Sequence, residues 1–187
     1  MASSALQHPR LLTVEEFLEI DFGPGLKAEL DRGVIQMMAG GTRDHARVQG
    51  NVLAYLHAAL RGSGCRTYGS DMKVRSDDRS VRYPDVTVDC GAPGDAGSDQ
   101  FLHAPRVIVE ILSPSTRTTD AGVKLDEYRS IDTVETIALV DPETERLRVL
   151  QRAGPQSWND TAFVAPAALD LPSLGVSMPH AEIFARD

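Results

Sequence analysis

Apolar positions along the chain change period repeatedly, and each change marks an element. Thr13-Val14-Glu15-Glu16 reads as a capping box, the Thr hydroxyl and the Glu carboxylate each taking an orphan N–H, and predicts a short helix through Ile20 that Gly23-Pro24-Gly25 ends. Two short strands around Lys27–Leu30 and Val34–Met38, split by Asp31-Arg32-Gly33, predict a hairpin with Gly33 at a positive φ. After Gly40-Gly41, Thr42 or Asp44 can cap a helix to about Leu60, where Val48, Val52, Leu53, Leu56 and Leu60 recur at steps of three and four and so bury one face. Three strand signals follow: Cys65–Arg75, Val81–Cys90, and the apolar Arg106–Leu112, which wants burial on both faces. Between the last two, the Gly-, Ala- and Asp-rich stretch Gly91–Gln100 predicts a loop. Thr118 or Thr119 then caps a helix to about Ser130. Glu135–Val140 is a further apolar strand with a hairpin partner at Leu147–Leu150, Thr161–Val164 is a weaker strand, and Pro179 starts a short final helix.

This order predicts a mixed α/β (α+β) class: a central mixed sheet flanked by helices, an N-terminal helix-hairpin and extra C-terminal strands. With 187 residues and no repeat or long linker, the whole of 1–187 is expected to be one domain. Composition adds exclusions. A hydrophobic share of 42% and a charged share of 25% exclude a disordered chain. No apolar run reaches the length of a membrane span, and Met1–Arg10 lacks the apolar core of a signal peptide, so a cytoplasmic protein without membrane contact is expected. Cys65 and Cys90, too few for a disulfide scaffold, are expected as thiols. The formal charge of −8 argues against a general high-affinity nucleic-acid binder. It leaves room for an enzyme that meets a polyanion through a bound metal.

Candidate chemistry starts at Glu110, a carboxylate inside an otherwise apolar strand. Buried without a partner it costs several kcal/mol, on the order of other buried charges. It therefore pairs with a cation or metal, lies at a strand end in a cleft, or faces solvent. In Tyr83-Pro84-Asp85, Pro84 has no N–H and suits a strand start or edge; the plain alternative is a turn. Two acids on successive strands, each near a strand end, can converge on one divalent ion. Asp120, Lys124 and Tyr128 are four apart and share a helix face, either solvated or aimed back over the strand ends. The turn Ser113-Pro114-Ser115-Thr116, with Arg117, offers hydroxyls and free N–H groups to a phosphate at that helix's start. Glu29 alternates on a hairpin strand and either faces water or joins the site; His45, early on the long helix, caps it or rims the core. The remaining histidines lack metal-ligand spacing, Ser113, Ser115 and the cysteines lack the partners of a nucleophilic triad, and no P-loop or dinucleotide glycine motif is present.

Taken in order, Glu29-Leu30-Asp31-Arg32-Gly33, His45, Tyr83-Pro84-Asp85-Val86, Val109-Glu110-Ile111-Leu112-Ser113-Pro114-Ser115-Thr116, Asp120, Lys124, Tyr128 and Leu139-Val140-Asp141-Pro142 resemble the Uma2 family. The resemblance runs from about residue 12 to residue 150. It implies a restriction-endonuclease-like core of the PD-(D/E)XK type and a metal-dependent endonuclease acting on DNA. Asp85 and Glu110 would then be the two acids of the motif, holding Mg²⁺ or Mn²⁺ with the Ile111 carbonyl and aided by Glu29. Leu112 stands where the motif wants lysine, and in Uma2-like proteins that lysine moves to the next helix, here Lys124. Thr136 stands where many relatives carry an aromatic. The resemblance also implies a homodimer. The competing class is an inactive nuclease-like scaffold that dimerises or binds DNA as an accessory module.

Overall fold

The computed structural model describes residues 10–91, 99–113 and 122–186. Among them are four α-helices and twelve strands. Helix α1 (Val14–Leu18) carries the expected capping box between Thr13 and Glu16, and ends two residues before the predicted Ile20. Strands β1 (Ala28–Asp31) and β2 (Val34–Met37) form the hairpin. Its turn residues Arg32 and Gly33 have φ of 48° and 85°, the doubly left-handed turn whose twist suits two-residue hairpins. A Cβ on Gly33 would also lie 2.7 Å from the Leu11 Cβ, so only glycine fits there. Helix α2 (Arg43–Ala59) is capped by Thr42, whose hydroxyl accepts from the His45 N–H.

The next strands depart from the sequence reading. Cys65–Arg75 is two strands, β3 (Arg66–Gly69) and β4 (Val74–Asp77), and Val81–Cys90 is likewise split into β5 (Ser80–Arg82) and β6 (Val86–Asp89). The hairpin β4–β5 joins β1 and β2 in a four-stranded sheet of order β2-β1-β5-β4. Strands β3 and β6 pair with each other in a six-stranded sheet of order β10-β9-β8-β7-β6-β3. Pro84 cannot donate to a ladder, and it stands where the chain leaves one sheet for the other. Cys65 and Cys90 flank the register pair Arg66↔Asp89 and are bonded as a disulfide rather than held as thiols. Adjacency on paired strands brings them together, which no linear spacing reveals.

The remaining strands of the large sheet are β7 (Pro105–Ile111), β8 (Thr136–Asp141), β9 (Arg146–Gly154) and β10 (Ser157–Ala162). Strand β10 thus lies earlier than the predicted Thr161–Val164, because its register follows the long hairpin with β9. All neighbours run antiparallel except β7 and β8, whose parallel pairing needs the crossover that contains helix α3 (Val123–Arg129). The predicted caps Thr118 and Thr119 lie outside the described residues, and α3 begins after Gly122 with no side-chain cap. A small hairpin, β11 (Leu169–Leu171) with β12 (Val176–Met178), and α4 (His180–Ile183) close the chain. No helix among the described residues is long and apolar enough to cross a membrane.

Alternation along β7 sorts the two faces of the large sheet. Val107, Val109 and Ile111 pack under α2 with Val48, Val52 and Leu56, while Ile108 packs on the other face with Leu125 and Tyr128 of α3. Glu110 shares the parity of Ile108 and faces α3. A third cluster of Val14, Phe17, Ala28, Leu30 and Val81 fixes α1 to the small sheet. Glu29 alternates away from that cluster, on the same strand face as Asp31.

Between α3 and the small sheet lies a buried ion cluster. Arg82 is 1% exposed; its Nε and one terminal nitrogen hold both Glu127 oxygens at 2.6 and 2.9 Å. Its other contacts are Glu29 at 3.2 Å and Asp31 at 2.8 Å. The guanidinium pKa rises despite burial, because these carboxylates stabilise the charge. Removing the cation leaves buried carboxylates uncompensated, so Arg82→Met is expected to cost about 3–5 kcal/mol in urea unfolding. A loss below about 1 kcal/mol would show that the cluster does not hold α3 to the small sheet.

Candidate active site

Asp85 and Glu110 meet because of register. Val86 of β6 pairs antiparallel with Val109 of β7, which sets Asp85, just before β6, beside Glu110 near the end of β7. Both line one cleft of about 660 Å³ between the two sheets. Asp85 is held on three sides: the Ile111 N–H donates to its Oδ2 at 2.7 Å, His45 Nε2 lies 3.2 Å from the same oxygen, and the Gln49 amide donates to its main-chain carbonyl at 2.9 Å. Ile111 thus reaches Asp85 through its N–H. The other oxygen of Asp85, Oδ1, accepts no hydrogen bond among the described residues.

Glu110 is 3% exposed and held from α3. Tyr128 donates to its Oε1 at 2.6 Å, and Lys124 Nζ lies 3.3 Å from the same atom. The lysine is shared, standing 3.3 Å from Glu29 Oε1 as well. Lys124 is 7% exposed and lines the cleft, so it is not a solvated surface lysine. Glu29 likewise does not face water: it is 7% exposed and takes the Tyr83 N–H at 3.1 Å in addition to Arg82 and Lys124. Those partners make it a brace for the lysine. Tyr128 is neither solvated nor part of the cleft lining; it is fully buried beneath Glu110. Ser113 lines the cleft, whereas Ser115, Thr116, Arg117 and Asp120 lie outside the described residues.

The donor set suits a hard divalent cation. Two carboxylates present oxygen ligands in one cleft, and Mg²⁺ commonly binds one or two protein carboxylates while keeping several waters. Among the described residues no group of three His, Cys, Asp or Glu side chains gathers around one point. Two acids fit such an ion, which keeps water in its remaining positions.

The family model of Uma2, described as "Putative restriction endonuclease", matches residues 14–180. The chain belongs to the Uma2 family. Two proteins of Synechocystis sp., slr1290 and sll1609, both called uncharacterized, are similar along most of their length. The first is 29% identical over 167 residues, covering 89% of this chain and 87% of its own. The second is 28% identical over 151 residues, covering 80% and 85%. Among solved structures, a crystal structure of "a putative nuclease belonging to DUF820" from Anabaena variabilis superposes with a TM-score of 0.76 at 21% identity, covering 93% of this chain and 98% of that one. The likeness shows the fold, a restriction-endonuclease-like α+β arrangement. Within this Uma2 chain, Leu112 follows β7 with its side chain packed toward the α3-side core, so no cation stands at that position. Asp141 of the Leu-Val-Asp-Pro stretch organises the β8–β9 turn, accepting from the Glu143 N–H at 3.0 Å and the Thr144 hydroxyl at 2.8 Å.

Sequence reasoning missed Arg82, Glu127 and Gln49. Arg82 and Glu127 are 45 residues apart and meet only through tertiary packing. One signal was available: Glu127 lies three residues after Lys124 and therefore on a neighbouring face of the same helix.

Burial and the nearby Glu110 and Glu29 charges push the Tyr128 phenol well above its ordinary pKa. In the unfolded chain it ionises near ~10, so above that pH the folded state binds the extra proton. Stability from this group is fully present below pH ~10 and falls as pH rises further. Urea midpoints from pH 8 to 11 are expected to fall less steeply at the alkaline end for Tyr128→Phe than for wild type. Identical slopes would remove Tyr128 from the alkaline transition.

Proposed function

We propose that the chain is a metal-dependent endonuclease that hydrolyses phosphodiester bonds, with DNA as substrate. The observation that carries this reading is the pairing of Asp85 and Glu110 in one cleft, with Lys124 held against Glu110 from the crossover helix. Asp85, Glu110 and the Ile111 carbonyl would hold Mg²⁺ or Mn²⁺. Such an ion supplies Lewis-acid stabilisation of phosphate oxygens and a water of lowered pKa.

The protein's own groups do the positioning. The Ile111 N–H and His45 fix the Asp85 carboxylate, and Tyr128 fixes Glu110. Lys124 presents an ammonium to the cleft, where charge grows on the phosphate in the transition state; a preorganised cation there needs no rearrangement. Glu29 keeps that ammonium in place and does not itself touch the substrate. Ser113 offers a hydroxyl at the cleft wall, and Ser115, Thr116 and Arg117 are assigned to the same phosphate on sequence alone.

The reading extends to a cytoplasmic, single-domain protein that acts as a homodimer. The dimer is supported by β2, the outer strand of the small sheet, where Val34 and Met37 are 45% and 54% exposed. An open strand edge pairs readily with its own symmetry mate.

Supercoiled plasmid and purified protein with Mg²⁺ or Mn²⁺ test the activity. Wild type is expected to nick the plasmid only with metal, and Asp85→Ala to abolish nicking. Lys124→Met is expected to lower the rate by ~10²-fold or more with the fold intact. Metal-independent nicking, or equal nicking by Asp85→Ala, would overturn the assignment. Metal-bound, folded protein that never cuts would favour the inactive scaffold, which the −8 charge and Leu112 also favour.

A further inference from the structure

Among the described residues, the lysines and arginines that line the cleft are Lys27, Arg82 and Lys124. Two of them are engaged by buried acids: Arg82 by Glu127, Glu29 and Asp31, and Lys124 by Glu29 and Glu110. Lys27 differs. Its carboxylate partner among the described residues is Asp71, whose side chain is 88% exposed. A pair of that kind is weak, because water solvates the free acid nearly as well. The ammonium itself is held in place by neutral groups. It donates to the Ser70 carbonyl at 3.2 Å and lies 5.8 Å from the centroid of the Tyr83 ring, whose face attracts a cation. Tyr83 stands two residues before Asp85, so the ring that seats Lys27 belongs to the segment carrying the acid. The backbone adds a second constraint: the Lys27 carbonyl accepts from the Met38 N–H at 2.9 Å, one rung beyond β1. Lys27 and Glu29 therefore point away from the buried Ala28 and Leu30 together, about 7 Å apart along the extended chain. Lys124 rests on that same Glu29. The cleft thus carries two ammonium groups in a row, one buried against the acids and one part-exposed.

We infer that Lys27 is a second phosphate site, binding the backbone phosphate next to the one that is cut, and that Asp71 masks it in the free protein. That the cut phosphate sits at the acid pair rests on the proposed nuclease reading. A phosphodiester resembles a carboxylate in what matters here: it is a monoanion whose oxygens accept charge-assisted hydrogen bonds. The substrate phosphate takes the place of Asp71 on the ammonium, and the released carboxylate turns to water, where most of it already lies. Ser70 and Tyr83 keep the ammonium seated during the exchange, since neither bond involves a charge that the phosphate could replace. One such contact, instead of a basic face, also fits the charge of −8.

The two ends of the ion pair give opposite predictions. Anisotropy of a fluorescein-labelled DNA duplex in EDTA, titrated at several salt concentrations, reads binding without turnover. Lys27→Met is expected to weaken binding about 8-fold at ~0.1 M salt and to lower the salt slope by about 0.9, the share of one phosphate contact. Lys27→Arg, which keeps the charge, is expected to keep the slope. Asp71→Asn is expected to tighten binding by up to about 5-fold, the range of an exposed ion pair, and to do so only where Lys27 is present. An unchanged slope in Lys27→Met would overturn the site. So would equal tightening by Asp71→Asn with and without Lys27, which would make Asp71 a general repelling charge. Asp71→Asn leaves the lysine's seat intact, so it decides alone if Lys27→Met does not fold: affinity no higher than wild type overturns the site. Plasmid nicking with Mg²⁺ separates this inference from the reading beneath it. If wild type never nicks while the Lys27 and Asp71 effects stand, the nuclease reading fails and the phosphate site survives as a binding contact. If wild type nicks while those effects are missing, only the second phosphate site fails.

Discussion

The structure depends on one buried cation. Arg82 ties β1, β5 and α3 together by holding Glu29, Asp31 and Glu127 at once. Taking it out of water is costly, and the cost is offset because two of its bonds form a fork on Glu127 and two more reach Glu29 and Asp31. What the cluster contributes is orientation. With α3 fixed to the small sheet through Glu127 and to the large sheet through Leu125 and Tyr128, its Lys124 has one place to go, between Glu29 and Glu110. A hydrophobic seam would pack α3 as firmly and leave the lysine's direction unset.

The cleft exists because the chain changes sheets at Tyr83-Pro84-Asp85. Had Val81–Cys90 remained one strand, the two sheets would not part there, and Asp85 would sit within a ladder. The proline's missing N–H ends β5, and Asp85 then caps the opening, bonded to the Ile111 N–H of β7. Glu110 arrives from the other direction by strand parity alone, with Val109 and Ile111 committed to the α2 core. Local backbone chemistry and sheet alternation thus deliver two acids to one cleft from residues 25 positions apart.

Features with a local cause were legible in the sequence. The Thr13–Glu16 capping box, the Thr42 cap, the Gly33 turn and the buried stripe of α2 each depend on neighbours within a few residues. Glu110 stood out because an acid contradicts an apolar strand, and Lys124 because the family resemblance placed a displaced lysine there. Features with a global cause stayed hidden. The Arg82 cluster, the Cys65–Cys90 bond and the division of strands between two sheets follow from topology, which spacing does not encode. Tyr128 shows the limit within one helix: periodicity put it on the face of Lys124, and only the packing beneath Glu110 distinguishes a wall from a floor.

The cation site proposed between Asp85 and Glu110 is open to direct observation. A crystal soaked in Mn²⁺ and measured for anomalous scattering tests it directly. The account predicts a peak between the two carboxylates, with oxygens of both at ~2.0–2.6 Å, and no such peak in crystals of Asp85→Asn. Mn²⁺ bound elsewhere, or a cleft that stays free of metal at saturating Mn²⁺, would contradict it.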